Sequence, residues 1–348
     1  MKHPWTLIGC GTVGRGLLEI LRDRGDDLRR LHDAEFPLVG VSDMKMGSAE
    51  DPAGLDLAAV LAAAEHGSFD GLPGADRRRD APGLIREVDA AIVAEATFTN
   101  LETGEPALGH FRTALEHGRS VVTTNKGPIA LELASLQDLA ARHGADLRFE
   151  GTVMSGTPVL SLAMRDLAGD RIQEIRGILN GTTNYILTRM EGGDAYGDAL
   201  AEAQRLGYAE AKPDADVEGH DAQAKVMILA AALMGRSLRA SDVPCQGITG
   251  ITPERIADAR AGGRRYKLLG TVRRTEDGVE ASVAPVAVEL DDPLAGIAGV
   301  ANAIHFRTEL LGSLTVVGPG AGRRETGFSL LADMLAIHRR LAAREVRR

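Results

Sequence analysis

Trp5-Thr6-Leu7-Ile8-Gly9-Cys10-Gly11-Thr12-Val13-Gly14-Arg15-Gly16-Leu17-Leu18-Glu19-Ile20-Leu21 decides the fold of the N-terminal half. A short apolar run passes directly into Gly9-x-Gly11-x-x-Gly14 and then into Leu17, Leu18, Ile20 and Leu21 at helical spacing. The order is strand, glycine turn, helix. The first glycine permits the tight turn, the second lets backbone N–H groups approach a pyrophosphate, and the third lets helix and strand pack closely. The phosphate then sits at the helix N-terminus, where Thr12 and Val13 stand. Dinucleotide binding is the expectation; a merely structural glycine turn is the competing reading.

Working outward, residues 36–41 read as a second strand that leads to Asp43, the candidate acceptor for the hydroxyls of an adenosine ribose. It lies about 30 residues after Gly14, where the fingerprint expects roughly 20. A linker at 25–35 would absorb the excess. An acid at this position disfavours a 2′-phosphate while the nearby Lys45 would welcome one, so both NAD and NADP fit, with a lean to NAD. Residues 89–96 and 120–124 read as buried parallel strands, 104–117 and 129–143 as helices, and 146–150 as a last strand. The polar loop 123–128 follows a strand's carboxyl end, where open α/β sheets place ligands, and it carries Lys126. The expected fold is α/β: a doubly wound Rossmann-like domain over residues 1–150, then an α+β domain.

At 348 residues, with 44% hydrophobic and 26% charged, the chain has room for two cores. A formal net charge of -9 and short arginine runs (Arg77 to Arg79; Arg347 and Arg348) give no basic surface for nucleic acid. Cys10 and Cys245 are too few for a disulfide framework and lack metal-ligand spacing, which fits a reducing cytoplasm. The longest apolar run falls short of the roughly 20 residues of a membrane span, and no signal-peptide core precedes the glycines.

The chemistry concentrates in residues 206–225, LGYAEAKPDADVEGHDAQAK. From His220 the residues are good helix formers, so Asp221 and Lys225 stand one turn apart on one face. A partly desolvated lysine ringed by acids suits proton transfer, and acids without a metal pattern suit gripping an ammonium. A solvated surface pair is the competing reading. Residues 150–158, EGTVMSGTP, leave the first domain through a glycine-rich turn that could gather carbonyl oxygens around a cation or serve only as a crossing. Residues 173–179 alternate as a strand and run into Asn180-Gly181-Thr182-Thr183-Asn184-Tyr185, where Asn180 or Thr182 can cap a helix. Residues 252–261 read as a helix, 264–274, 279–288, 301–306 and 313–317 as strands, and 326–348 as a last helix.

GCGTVGRG, TNKGPIA, EGTVMSGTPVL, GILNGTTNYIL and the 206–225 stretch together resemble homoserine dehydrogenase in order and spacing, and GPGAG at 318–322 resembles that family's late glycine turn. The resemblance implies NAD(P)H-dependent reduction of L-aspartate 4-semialdehyde to L-homoserine, on the route to threonine and methionine. It implies Lys225 as proton donor with Asp221 as its partner, and Lys126 between nicotinamide and substrate. Glu210 resembles the carboxylate that holds the substrate ammonium, with Gly181, Thr182, Tyr208 and Asp216 lining the same pocket. Thr97, Gly207 and Gly320 join Gly9, Gly11, Thr12, Val13, Gly14 and Asp43 as coenzyme contacts. A sodium-type ion is implied at Glu150 with the carbonyls of Val153, Ser155 and Thr157. The family also implies a substrate-binding and dimerisation domain at 151–318, a C-terminal helix at 319–348 returning to the first domain, and a homodimer or dimer of dimers. No C-terminal amino-acid-sensing domain and no threonine feedback through one are expected. Lys212 departs from the pattern, since the family more often has aspartate there. It motivates a paralogous reading, a dehydrogenase for another amino-acid aldehyde or ketone; a non-catalytic nucleotide sensor is a third.

Overall fold

A computed structural model describes residues 1–345, which form two compact units, Met1–Gly156 with the segment from Gly322 onward, and Thr157–Ala321. The sequence suggested divisions at 150/151 and 318/319. The cationic end at Arg347 and Arg348 lies outside the described residues.

The first unit begins β1 (Trp5–Ile8), α1 (Thr12–His32), β2 (Leu38–Asp43), β3 (Gly47–Glu50), α2 (Leu57–His66) and α3 (Ala81–Glu87). It continues β4 (Ile92–Glu95), α4 (Ala107–Glu116), β5 (Ser120–Thr123), α5 (Lys126–Arg142), β6 (Leu147–Arg148) and α6 (Gly151–Met154). The second unit holds α7 (Val159–Ser161), a π-helical turn at Leu162–Asp166, β7 (Ile172–Ile178), α8 (Gly181–Glu191), α9 (Tyr196–Arg205), α10 (Asp214–Val217) and α11 (His220–Met234). After a 3₁₀ turn at Ala240–Asp242 come α12 (Pro253–Ala261), β8 (Arg264–Thr275), β9 (Gly278–Glu289), β10 (Ala301–Thr308) and β11 (Ser313–Pro319), and α13 (Arg323–Glu345) belongs to the first unit.

The first sheet has the order β3-β2-β1-β4-β5-β6, parallel except for β3, which pairs antiparallel with β2. Trp5, Leu7, Val41, Ile92 and Val122 share its core with Leu17 and Leu18 of α1 and Leu330, Met334 and Ile337 of α13. The two helices touch at glycines. A Cβ on Gly16 would lie 2.1 Å from the Arg323 carbonyl oxygen, and one on Gly327 would lie 2.6 Å from the Gly16 backbone. In the second unit the antiparallel sheet runs β11-β10-β7-β8-β9, with α8 and α11 packed on it and Ile178, Leu269, Val288, Leu294 and Ala303 in one of its cores.

Three local expectations are corrected, and one element is additional. Residues 25–32 are helix, not linker: α1 runs to His32 and stops at Asp33, whose φ of 52° turns the chain out. The surplus before Asp43 is therefore helical length. The loop at 123–128 is half helix, because Asn125 Oδ1 accepts from Gly127 N–H at 3.2 Å and starts α5 at Lys126. The strand at 146–150 is only β6, since Glu150 already has helical φ and ψ and opens α6. The β2-β3 hairpin was not foreseen.

Candidate active site

On the first unit, Gly9 has φ 89°, and a Cβ there would lie 2.6 Å from the Ala96 carbonyl oxygen, so the turn needs glycine on both counts. A Cβ on Gly14 would meet the Gly9 carbonyl oxygen at 2.4 Å, whereas at Gly11 nothing lies within 4 Å. Gly9 and Gly14 close the turn and Gly11 leaves its mouth open. Thr12 and Val13 form the first turn of α1 behind it. Asp43 accepts from Cys10 N–H at 3.0 Å with one carboxylate oxygen and from Lys45 N–H at 2.9 Å with the other. Cys10 itself is fully buried and burial pushes its thiol up to about 12, so it packs rather than reacts.

Gly9, Gly11, Asp43 and Thr97 line a cavity of about 1170 Å³. It is large enough for most of a dinucleotide. Arg77 and Arg79 also line it, but Arg77 is paired with Asp70 at 2.6 Å, and Arg79 with Glu50 at 2.6 Å and Glu87 at 2.8 Å. The wall formed by the end of β4 and by α4 holds a group the sequence reading missed. Glu95, fully buried, accepts from the Thr97 hydroxyl, from Thr97 N–H at 3.3 Å and from Thr123 Oγ1 at 3.4 Å, and it faces His110 Nδ1 at 3.4 Å. Lys126 is half-buried in the first turn of α5.

Glu150, Val153 and Ser155 also belong to the first unit, and Thr157 begins the second. Ser155 has φ 51°, an unusual conformation for a side-chain-bearing residue, and its hydroxyl bonds Thr326 Oγ1 at 2.8 Å. Glu150 N–H donates to Asp333 Oδ2 at 3.0 Å; burial raises Asp333 to about 8, against the lowering effect of that hydrogen bond. Among the described residues no group of three or more His, Cys, Asp and Glu could hold a metal ion.

On the second unit the geometry centres on Lys225, whose residue is only 7% exposed. Its ammonium donates to Asp221 Oδ2 at 2.7 Å and to the Leu179 carbonyl oxygen at 2.6 Å. The sequence pointed to Asp221; the backbone carbonyl at the end of β7 gave no sequence signal. Asn180 does two jobs. Its Oδ1 accepts from Thr183 N–H at 2.9 Å, capping α8, while its Nδ2 donates to Asp216 Oδ1 at 2.7 Å and Asp221 Oδ2 at 3.0 Å. Burial, then the neighbouring Asp221, holds the Asp216 carboxyl above the usual range, against the lowering effect of Asn180 and Lys225. Asn180, not Thr182, is the cap. Thr182 Oγ1 instead donates to the Tyr208 carbonyl oxygen at 2.6 Å, fixing the loop after α9 to α8, and the Tyr185 and Tyr208 rings meet edge to face.

Gly181 is required by packing, since a Cβ would lie 2.7 Å from the Val300 carbonyl oxygen. Gly320 is likewise filled against, by the Asn302 side-chain amide at 2.3 Å from a Cβ position. Gly207 has φ 76° in the turn that ends α9. Glu210 and Lys212 are both solvent-exposed, and Lys212 makes no ion pair among the described residues. Asp216, Asp221, Lys225, Thr182 and Tyr208 are thus gathered by hydrogen bonds, whereas Glu210 stands on the exposed loop beside them in sequence.

Two family models match. One described as homoserine dehydrogenase covers residues 158–335, and one described as its NAD binding domain covers residues 9–150. The chain is similar to an NAD(+)-dependent homoserine dehydrogenase of Pseudomonas canavaninivorans, 46% identical over 339 residues, 97% of this chain and 96% of that one. Among solved structures it resembles a homoserine dehydrogenase from Thiobacillus denitrificans (TM-score 0.85, 32% identity, 99% of this chain and 74% of that one). It also resembles a hyperthermophilic archaeal homoserine dehydrogenase mutant in complex with NADPH (TM-score 0.82, 30% identity, 96% of this chain and 97% of that one).

Proposed function

Because the chain belongs to the homoserine dehydrogenase family, we propose that it interconverts L-aspartate 4-semialdehyde and L-homoserine, with the coenzyme on the first unit and the amino acid on the second. It is an NAD(P)-dependent oxidoreductase, and the reaction serves amino-acid biosynthesis, toward threonine and methionine. The observation that carries the residue assignment is Lys225: an almost fully buried ammonium, held from two sides by Asp221 and the Leu179 carbonyl, with one further carboxylate, Asp216, tied in through Asn180.

A bound nicotinamide coenzyme supplies the hydride that the aldehyde carbon receives. As the carbonyl bond opens, charge grows on oxygen, and the Lys225 ammonium gives that oxygen its proton. Asp221 and the Leu179 carbonyl fix the direction in which Nζ points. Asp216 attracts the substrate ammonium and Asn180 stops it from drifting off against Asp221. Glu210 joins in that grip, Gly181, Thr182 and Tyr208 wall the pocket, and Lys126 would serve the nicotinamide end of the coenzyme. Lys212 is exposed and unpaired among the described residues, so it gives no reason to move the substrate to another aldehyde.

We read Gly9, Gly11, Thr12, Val13 and Gly14 as the diphosphate cradle, with Thr97, Gly207 and Gly320 as further coenzyme contacts. NAD is the favoured coenzyme. Asp43 offers a carboxylate where a 2′-phosphate would bring like charge, and Arg77 and Arg79 already have acidic partners. The NAD(+)-dependent relative supports this choice, and the NADPH complex of the archaeal neighbour is the counterweight. We also assign a sodium-type ion to Glu150 and the carbonyls of Val153, Ser155 and Thr157, where the positive φ of Ser155 re-aims the chain. The five-stranded sheet exposes Val286 and Val317 at 40% and 51%, which favours pairing of two copies through it. No helix among the described residues is long and apolar enough to cross a membrane, and work on a soluble metabolite suits the cytoplasm.

Coenzyme oxidation with L-aspartate 4-semialdehyde tests the reading. Turnover with NADH at ten or more times the kcat/KM of NADPH is the expected result. Turnover with neither, in a folded protein, would remove the substrate assignment, and a reversed ratio would remove the role given to Asp43.

A further inference from the structure

The coenzyme cavity has a wall whose chemistry the glycine loop and Asp43 do not explain. Phe98 is 56% exposed and lines it, offering a flat apolar face, and Pro106 and His110 line the same cavity. His110 is 6% exposed and sits on α4 with Nδ1 turned to the Glu95 carboxylate at 3.4 Å. Donors already converge on Glu95: the Thr97 N–H and hydroxyl reach its carboxylate, and the Thr123 hydroxyl donates to its backbone carbonyl at 3.0 Å. With a carboxylate as its neighbour, His110 Nδ1 is the ring nitrogen that donates. In that tautomer the lone pair is on Nε2. Such a nitrogen seeks an N–H or O–H donor.

A coenzyme's adenosine half brings two kinds of donor, the ribose hydroxyls and the 6-amino group of adenine. Asp43, at the end of β2, answers the hydroxyls, which leaves the amino group without an acceptor. We propose that Phe98, Pro106 and His110 form the adenine subsite, in which the apolar side chains cover the base and His110 Nε2 accepts a hydrogen bond from its 6-amino group. Glu95 is the positioning residue that fixes the ring and its tautomer. The proposal rests on the cavity taking the coenzyme, as given above.

The test compares NADH with nicotinamide hypoxanthine dinucleotide (reduced form), in which a carbonyl replaces the 6-amino group, using the full-length protein and L-aspartate 4-semialdehyde. The unmodified protein is expected to show a KM for the hypoxanthine coenzyme roughly three- to tenfold above that for NADH, the usual worth of one neutral hydrogen bond. His110→Ala raises KM for NADH by the same factor and erases the difference, with kcat and the KM for the aldehyde little changed. His110→Gln, whose side-chain oxygen reaches about as far as Nε2, restores part of the discrimination, a readout that a purely structural role would not move. An NADH KM within twofold of normal in a folded His110→Ala protein overturns the proposal. So does an equal rise for both coenzymes, which would assign Nε2 to a ribose hydroxyl. An unmodified protein that neither binds nor oxidises NADH would instead fail the coenzyme reading itself.

Discussion

Asp216 carries the most informative single titration in the substrate unit. Burial and the nearby Asp221 favour its protonated form, so its folded pKa lies above the ordinary carboxyl value. Below that raised pKa Asp216 is neutral and attracts an ammonium weakly; above it the carboxylate is formed and the grip is complete. The KM for L-aspartate 4-semialdehyde is therefore expected to fall as pH rises through the Asp216 titration, and Asp216→Asn should flatten that limb while raising KM overall. A KM that is independent of pH in the unmodified protein across the acidic range would contradict the role. Asn180 shows what sequence reading reaches at this scale and what it does not. Its cap on α8 follows from local spacing alone. Its two bonds to Asp216 and Asp221 depend on how α10 and α11 return to the end of β7, which no local pattern encodes.

Elements differ in the same way. The glycine turn was legible because two of its three glycines answer a clash between neighbours in sequence or on the adjacent strand, Gly14 against Gly9 and Gly9 against Ala96, while Gly11 keeps the mouth open. The second half of α1 was not. From Arg22 to Arg30 it carries Asp23, Asp26 and Asp27 among arginines, with i,i+3 pairs such as Arg24 with Asp27 and Arg30 with Asp27, and its apolar periodicity fades although the helix continues. Glycines in the α1 and α13 pair give a controlled prediction. Gly327→Ala places a Cβ 2.6 Å from the Gly16 backbone and should destabilise by about 1–3 kcal/mol, as overpacking does. Gly25→Ala, in the same helix α1 but with nothing within 4 Å, should stabilise by roughly 0.5–1 kcal/mol through helix propensity and lost unfolded-state freedom. Chemical denaturation measures both, and equal effects at the two positions would mean that α1 and α13 do not pack this closely.

For the whole molecule, the family was readable because five short motifs kept their order, although each had a plain structural explanation by itself. What the motifs could not convey is the support behind them, such as the Leu179 carbonyl behind Lys225, and Glu95 with His110 lies outside all five. Pairing of copies through the five-stranded sheet predicts a mass near twice 36.8 kDa, or a multiple of that dimer, by light scattering, and Val317→Glu should shift it toward the monomer. A monomer in the unmodified protein would contradict the sheet as an interface. The central claim is that Lys225 gives the proton in an NAD(H)-dependent reduction of L-aspartate 4-semialdehyde. Its most direct test is NADH oxidation by the unmodified protein and by Lys225→Ala, side by side, with NADH binding followed by fluorescence. The account predicts turnover in the first, a loss of about 10² or more in kcat in the second, and similar NADH affinity in both. Undiminished turnover in a Lys225→Ala protein would contradict it.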